Sequence, residues 1–104
     1  MMHLVGKLMG PVVSFVSELE PKMDAVAQEC EFTVVNRAFH QFEPFGVTGV
    51  LVLAESHFSA HTYPEENLIY IDVFCCSPHF NPQLCAVAIE RKFGGYLEWS
   101  VIER

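Results

Sequence analysis

"GVTGVLVLAESHFSAHTYPEENLIYIDVFCC", Gly46 to Cys76, decides the fold. "VTGVLVLAES" is a continuous apolar run of strand length, and the "HFSAHTY" that follows alternates. "NLIYIDVFCC" is a further strand, rich in β-branched and aromatic residues. No crossover helix fits between these runs, so they are expected to pair antiparallel.

Outward from this core, "EFTVVNRAFH" reads as another strand, broken by "QFEPFG". Upstream, Ser17 to Glu29 looks helical, with Met23, Val26, Ala27 and Cys30 at three- and four-residue spacings and Pro21 near a first turn. "HLVGKLMG" supplies a first strand, closed by Gly10-Pro11. Downstream, Asn81 is placed to cap a helix that opens at Pro82, with Leu84, Ala88 and Ile89 near one face. Gly94-Gly95 stops it, and "YLEWSVIE" is a last strand. The order β-α-β-β-β-β-α-β predicts an α+β two-layer sandwich: a mostly antiparallel sheet with two helices on one face. Residues 1–104 are expected to form a single domain.

Composition narrows the function. Half the residues are hydrophobic (51%) and Phe occurs nine times, enough for a core and against disorder. Charged residues are only 18%, which favours burial of some surface in an oligomer. Thirteen acidic residues against six basic ones give a net charge of −7, and no basic run exists, so no nucleic-acid partner is expected. The charge suits a cationic small molecule or ordinary solubility. No apolar run approaches membrane-spanning length, and "LVGKLMGPVVSFV" is too interrupted for a signal peptide. Cys30, Cys75, Cys76 and Cys85 show no CxxC spacing, so reduced thiols in a cytoplasm are expected.

"LAESHFSAHTYPE", Leu53 to Glu65, gathers the polar residues. His57 and His61 lie four apart, which on a strand separates them by about 13 Å, too far for one metal ion. No metal is therefore assigned. A serine hydrolase is disfavoured because "AESHF" lacks the glycine elbow and a following helix. Taken singly, Ser56 reads as a turn hydroxyl, His61 as a half-buried strand histidine and Cys76 as a small buried hydrophobe.

Together these residues fall into an ordered pattern: Gly-Val-Thr-Gly, then Glu-Ser-His, then His-Thr-Tyr-Pro-Glu, then Asp-Val-Phe-Cys-Cys. Gly46 to Cys76 closely resembles the core of the S-adenosylmethionine decarboxylase family in its short bacterial and archaeal form. A weaker likeness extends back through "FHQFEPFG" and forward to the last helix and strand.

The resemblance implies a proenzyme that cuts its own backbone between Glu55 and Ser56, giving residues 1–55 and 56–104. The Ser56 hydroxyl would attack the Glu55 carbonyl, and elimination from the resulting ester would leave a pyruvoyl group as the cofactor. The family assigns the base for that elimination to the histidine at His61, and Thr48 stands at its processing serine. The pyruvoyl ketone would then form a Schiff base with the substrate amine and accept the electrons released with CO₂. Cys76 matches the proton donor, a role within reach of a thiol. Phe42 matches an aromatic that stacks on adenine, and Glu65 a carboxylate that grips the ribose. Core packing and a solvated turn are the plain alternatives for those two. A homodimer of cleaved protomers, its active site near the interface, is also implied.

Some positions depart from the family. Tyr63 stands where tryptophan is common, "CCS" replaces "TCG", and "HLVGKLMG" lacks the usual acidic and aromatic residues. The expected activity is S-adenosylmethionine decarboxylation for spermidine synthesis. Alternatives are a pyruvoyl enzyme acting on ornithine or arginine, or a non-cleaving regulatory homologue.

Overall fold

Every second residue along the central strands is buried, which sorts the sheet into a packed face and an open one. Leu51, Phe58, Ala60, Ile71 and Val73 are buried, whereas Val52 and Tyr70 between them are exposed. A computed structural model, covering all of residues 1–104, shows how the chain uses that pattern. Its elements are β1 (Met2–Met9), α1 (Val16–Glu29), β2 (Val34–Gln41), β3 (Val47–Leu53), β4 (Ser56–Tyr63), β5 (Leu68–Cys75), α2 (Pro82–Phe93) and β6 (Tyr96–Glu103), with a 3-10 turn at Pro64–Glu66. The six strands form one sheet in the order β2-β3-β4-β5-β1-β6, and every pairing is antiparallel. Both helices pack on one face. This is the α+β two-layer sandwich expected from the sequence.

Topology follows from the connections. β3, β4 and β5 are joined by short turns and are neighbours. α2 carries the chain from β5 over β1 to β6, so β1 is held between two strands that come much later in sequence. α1 carries it from β1 to the far edge, where β2 pairs with β3. Leu19, Met23 and Val26 of α1 meet Cys85, Ile89 and Phe93 of α2 in one core cluster with Leu4, Leu51 and Phe58. No helix is long and apolar enough to cross a membrane.

Two local expectations are corrected. Pro21 is the sixth residue of α1, in its second turn rather than its first, in a helix that starts at Val16, one residue before the expected Ser17. Glu18 starts it there by accepting the backbone N–H groups of Ser14 and Phe15 at 2.9 and 3.1 Å. Leu84 is exposed, since the buried stripe of α2 runs instead through Cys85, Ala88 and Ile89. Asn81 caps α2 as its sequence position implies, its Oδ1 accepting from Gln83 N and Leu84 N.

Candidate active site

The β3–β4 hairpin turns at Ala54-Glu55, so Glu55-Ser56 lies at its tip. Ser56 has φ +144°, a region that favours glycine and costs another residue about 1–3 kcal/mol. Such a conformation persists only where the surroundings hold it. Here the Glu55 carbonyl accepts from Cys76 N–H at 2.8 Å, and Ala54 N–H donates to Thr33 O at 2.8 Å. The Glu55 carboxylate takes Thr33 N–H at 3.1 Å, and Ser56 pairs with Cys75 across the ladder. The glutamate–serine bond is therefore gripped from β5 and from the segment before β2.

Cys75 ends β5 buried on the helix side, whereas Cys76 is exposed. Strand alternation therefore turns Cys76 to the helix-free face. Burial raises the Cys75 thiol pKa, as does nearby Glu55, against a backbone hydrogen bond that lowers it. A cleft of about 600 Å³ on the helix side reaches Glu55 and Cys75, between Phe32, Phe80, Cys30 and Cys85. It does not include Ser56, Cys76 or His61.

The second set of predicted residues gathers at the other end of β3 and β4. Thr48 pairs with His61 across the ladder, and its hydroxyl is hydrogen-bonded to His61 Nδ1. The Phe42 ring stands edge-on to His61 at 5.8 Å, and Tyr63 stands edge-on to it at 4.8 Å. His40 and Tyr70 extend this row, meeting Phe42 at 4.7 Å and Tyr63 at 5.7 Å. Glu65 is exposed in the 3-10 turn that follows. Fold geometry thus unites Thr48, His61, Phe42 and Tyr63, with Glu65 close by in the chain.

Within one chain the two sets remain apart. Ser56 and His61 open and nearly close the same strand, five residues or about 16 Å distant. His61 cannot touch Ser56 of its own chain, contrary to the simplest form of the expectation that pairs them. Sequence reading also gave no role to His3, His57 and Asp72, which meet on the helix-free face. Period-2 alternation already put His57 and Asp72 on that face, but the adjacency of β1 to β5 is invisible without the topology.

Fold and site together define a two-layer α+β fold whose candidate site residues occupy a hairpin tip and the sheet face opposite the helices. The S-adenosylmethionine decarboxylase family profile matches residues 6–104, and the chain belongs to that family. It is 46% identical over 74% of its length to the S-adenosylmethionine decarboxylase proenzyme of Symbiobacterium thermophilum, covering 58% of that protein. To the proenzyme of Fervidobacterium nodosum it is 42% identical over 64% of its length, covering 49%. The chain thus spans about half the length of the curated relatives it matches. The crystal structure of the adenosylmethionine decarboxylase from Aquifex aeolicus VF5 superposes with a TM-score of 0.89 at 27% identity, covering 99% of this chain and 88% of that one.

Proposed function

We propose that this chain cuts itself between Glu55 and Ser56 and then acts as a pyruvoyl-dependent S-adenosylmethionine decarboxylase. The observation that carries the reading is the hairpin tip: a serine at φ +144° directly after a carbonyl held by a backbone N–H. An N→O acyl shift turns a stable amide into a less stable ester, so it needs strain to release and a donor for the oxyanion. Ser56 brings the strain, and Cys76 N–H points at the oxygen on which negative charge would grow.

The base comes from a second copy. Thr48 and His61 sit at one end of the helix-free face, and Cys76 and the Glu55-Ser56 hairpin tip lie at the other end of these strands. A two-fold axis that runs across the strands and lays two such faces together sets each end against its opposite. His61 of the partner subunit is then brought to the hairpin tip that carries Ser56, as the homodimer reading requires. With Nδ1–H given to the Thr48 hydroxyl oxygen, Nε2 keeps the lone pair a base needs. The face suits burial, since Phe42, Val52, Tyr63 and Tyr70 are exposed there.

When formed, the pyruvoyl group at position 56 supplies the carbonyl that binds the substrate amine and takes up the electrons left by CO₂. The chain's own residues do the rest. Cys76 carries an exposed thiol beside the cut and returns a proton to the substrate carbon. Phe42 and Tyr63 offer ring faces to an adenine and to a sulfonium cation, and Glu65 offers a carboxylate to the ribose. Four free cysteines suit a reducing cytoplasm, and decarboxylated S-adenosylmethionine would serve polyamine synthesis.

Intact-mass spectrometry tests the cut, with fragments 1–55 and 56–104 expected and the second lacking its amine. CO₂ release is then measured with S-adenosylmethionine, ornithine and arginine. A single uncleaved polypeptide after long incubation refutes the processing. Release from ornithine or arginine alone refutes the substrate.

A further inference from the structure

β1, β4 and β5 bring together three ionisable side chains for which the chemistry above has no use. Asp72 on β5 stands between His3 on β1 and His57 on β4. One carboxylate oxygen is hydrogen-bonded to His3 Nε2, and the other lies 3.8 Å from His57 Nε2. Phe74 wedges the imidazoles apart, 5.4 Å from the His3 ring and 5.8 Å from that of His57. The carboxylate sits between the rings, so the three do not converge as a metal cage.

The register ties this group to Cys76. His57 lies directly opposite Phe74, so its diagonal neighbours are Asp72 on β5 and, one residue past the end of that strand, Cys76. Diagonal partners on one sheet face stand about 7–8 Å apart at Cα, within reach of an imidazole. The His57 side chain is 39% exposed, so water can reach it.

We propose that His57, aligned by Asp72 and His3, returns the proton that Cys76 loses in each turnover. The inference rests on Cys76 being the donor in the decarboxylase reading. Cys76 gives its thiol proton to the substrate carbon and is left a thiolate. The Nδ1–H bond of the His57 imidazolium breaks and a new S–H bond forms. The neutral ring then takes a proton from water. Asp72 faces Nε2, stabilises the imidazolium and leaves Nδ1 to exchange, while His3 steadies the carboxylate. His57 acts through Cys76 and is a positioning residue.

The groups facing His57 are few. On its face β5 carries Asp72, with Cys76 just past the strand's end and Tyr70 farther off level with His61, and β1 carries His3 and, beside Tyr70, Lys7. Arg104 at the C-terminus lies 4.9 Å over the Phe74 ring. β3 sets only Val50 and Val52 beside β4 here, and the Glu55 carboxylate is engaged at Thr33.

The test uses cleaved protein and compares wild type with His57→Gln and Asp72→Asn. His57→Gln is expected to cleave, to lose about tenfold to a hundredfold in kcat with KM hardly moved, and to flatten the histidine limb of the kcat–pH profile. Asp72→Asn is expected to cleave and to lose less in kcat than His57→Gln. In a Cys76→Ala background His57→Gln should cost nothing further. An unchanged kcat and pH profile in His57→Gln overturns the proposal, as does a loss confined to KM. If both variants stay uncleaved, the network serves processing instead and the proposal falls. If wild type itself neither cleaves nor releases CO₂, the decarboxylase reading fails first and takes the relay with it.

Discussion

Cys76 donates its backbone N–H to the carbonyl oxygen of Glu55 at 2.8 Å. The residue assigned to protonate the product thus also holds the bond to be cut, through a different atom. In the proposed scheme main chain serves the first reaction and side chain the second, so mutation can separate them.

Ser56→Ala is expected to abolish cleavage, and Ser56→Gly equally, since neither has a hydroxyl. The two should differ in stability. Glycine adopts φ +144° without strain, so Ser56→Gly should exceed Ser56→Ala by about 1–3 kcal/mol in urea unfolding. Equal stabilities would show that the tip stores no strain.

Cys76→Ala keeps the N–H and loses the thiol. Cleavage should therefore persist while CO₂ release falls by about 10²–10⁴. Full turnover in this variant would remove Cys76 from the donor role.

Thiol labelling gives a separate check. Burial holds the Cys75 pKa above its ordinary value, and a hydrogen bond to Cys30 together with burial does so for Cys85, whereas Cys85 lowers that of Cys30. At neutral pH an alkylating agent should modify exposed Cys76 and half-buried Cys30 well before the other two, read by peptide mass. Early labelling of Cys75 would contradict its placement.

Mixed copies test the shared site. Ser56→Ala chains and His61→Ala chains should each stay intact alone. When they are co-expressed, the His61→Ala chain should be cut, because in the proposed dimer His61 of the partner subunit serves its Ser56. No cleavage in the mixture would mean that His61 does not act across two copies.

Much of this was legible because the signals are local. Alternation along Leu51, Phe58 and Ile71 placed the strands, and Asn81-Pro82 marked the start of α2. Leu84 misled because a helix stripe one position away satisfies similar spacing, and only packing against α1 chooses Cys85. The candidate residues were recognisable as an ordered set, but not their division between two ends. Ser56 and His61 look adjacent in sequence, whereas an extended strand carries them apart. The His3–Asp72 contact spans the chain and depends on β1 entering beside β5.

That same insertion of β1 between β5 and β6 decides what a cut at position 55 leaves behind. The first fragment owns β1, β2 and β3, the second β4, β5 and β6, and the sheet interleaves them. Neither piece holds a complete sheet, so the products should stay together as a heterodimer without any covalent link. Folding would thereby become a one-time unimolecular event. Once cut, the protein could be rebuilt from denaturant only by a bimolecular encounter, and its melting temperature should rise with concentration.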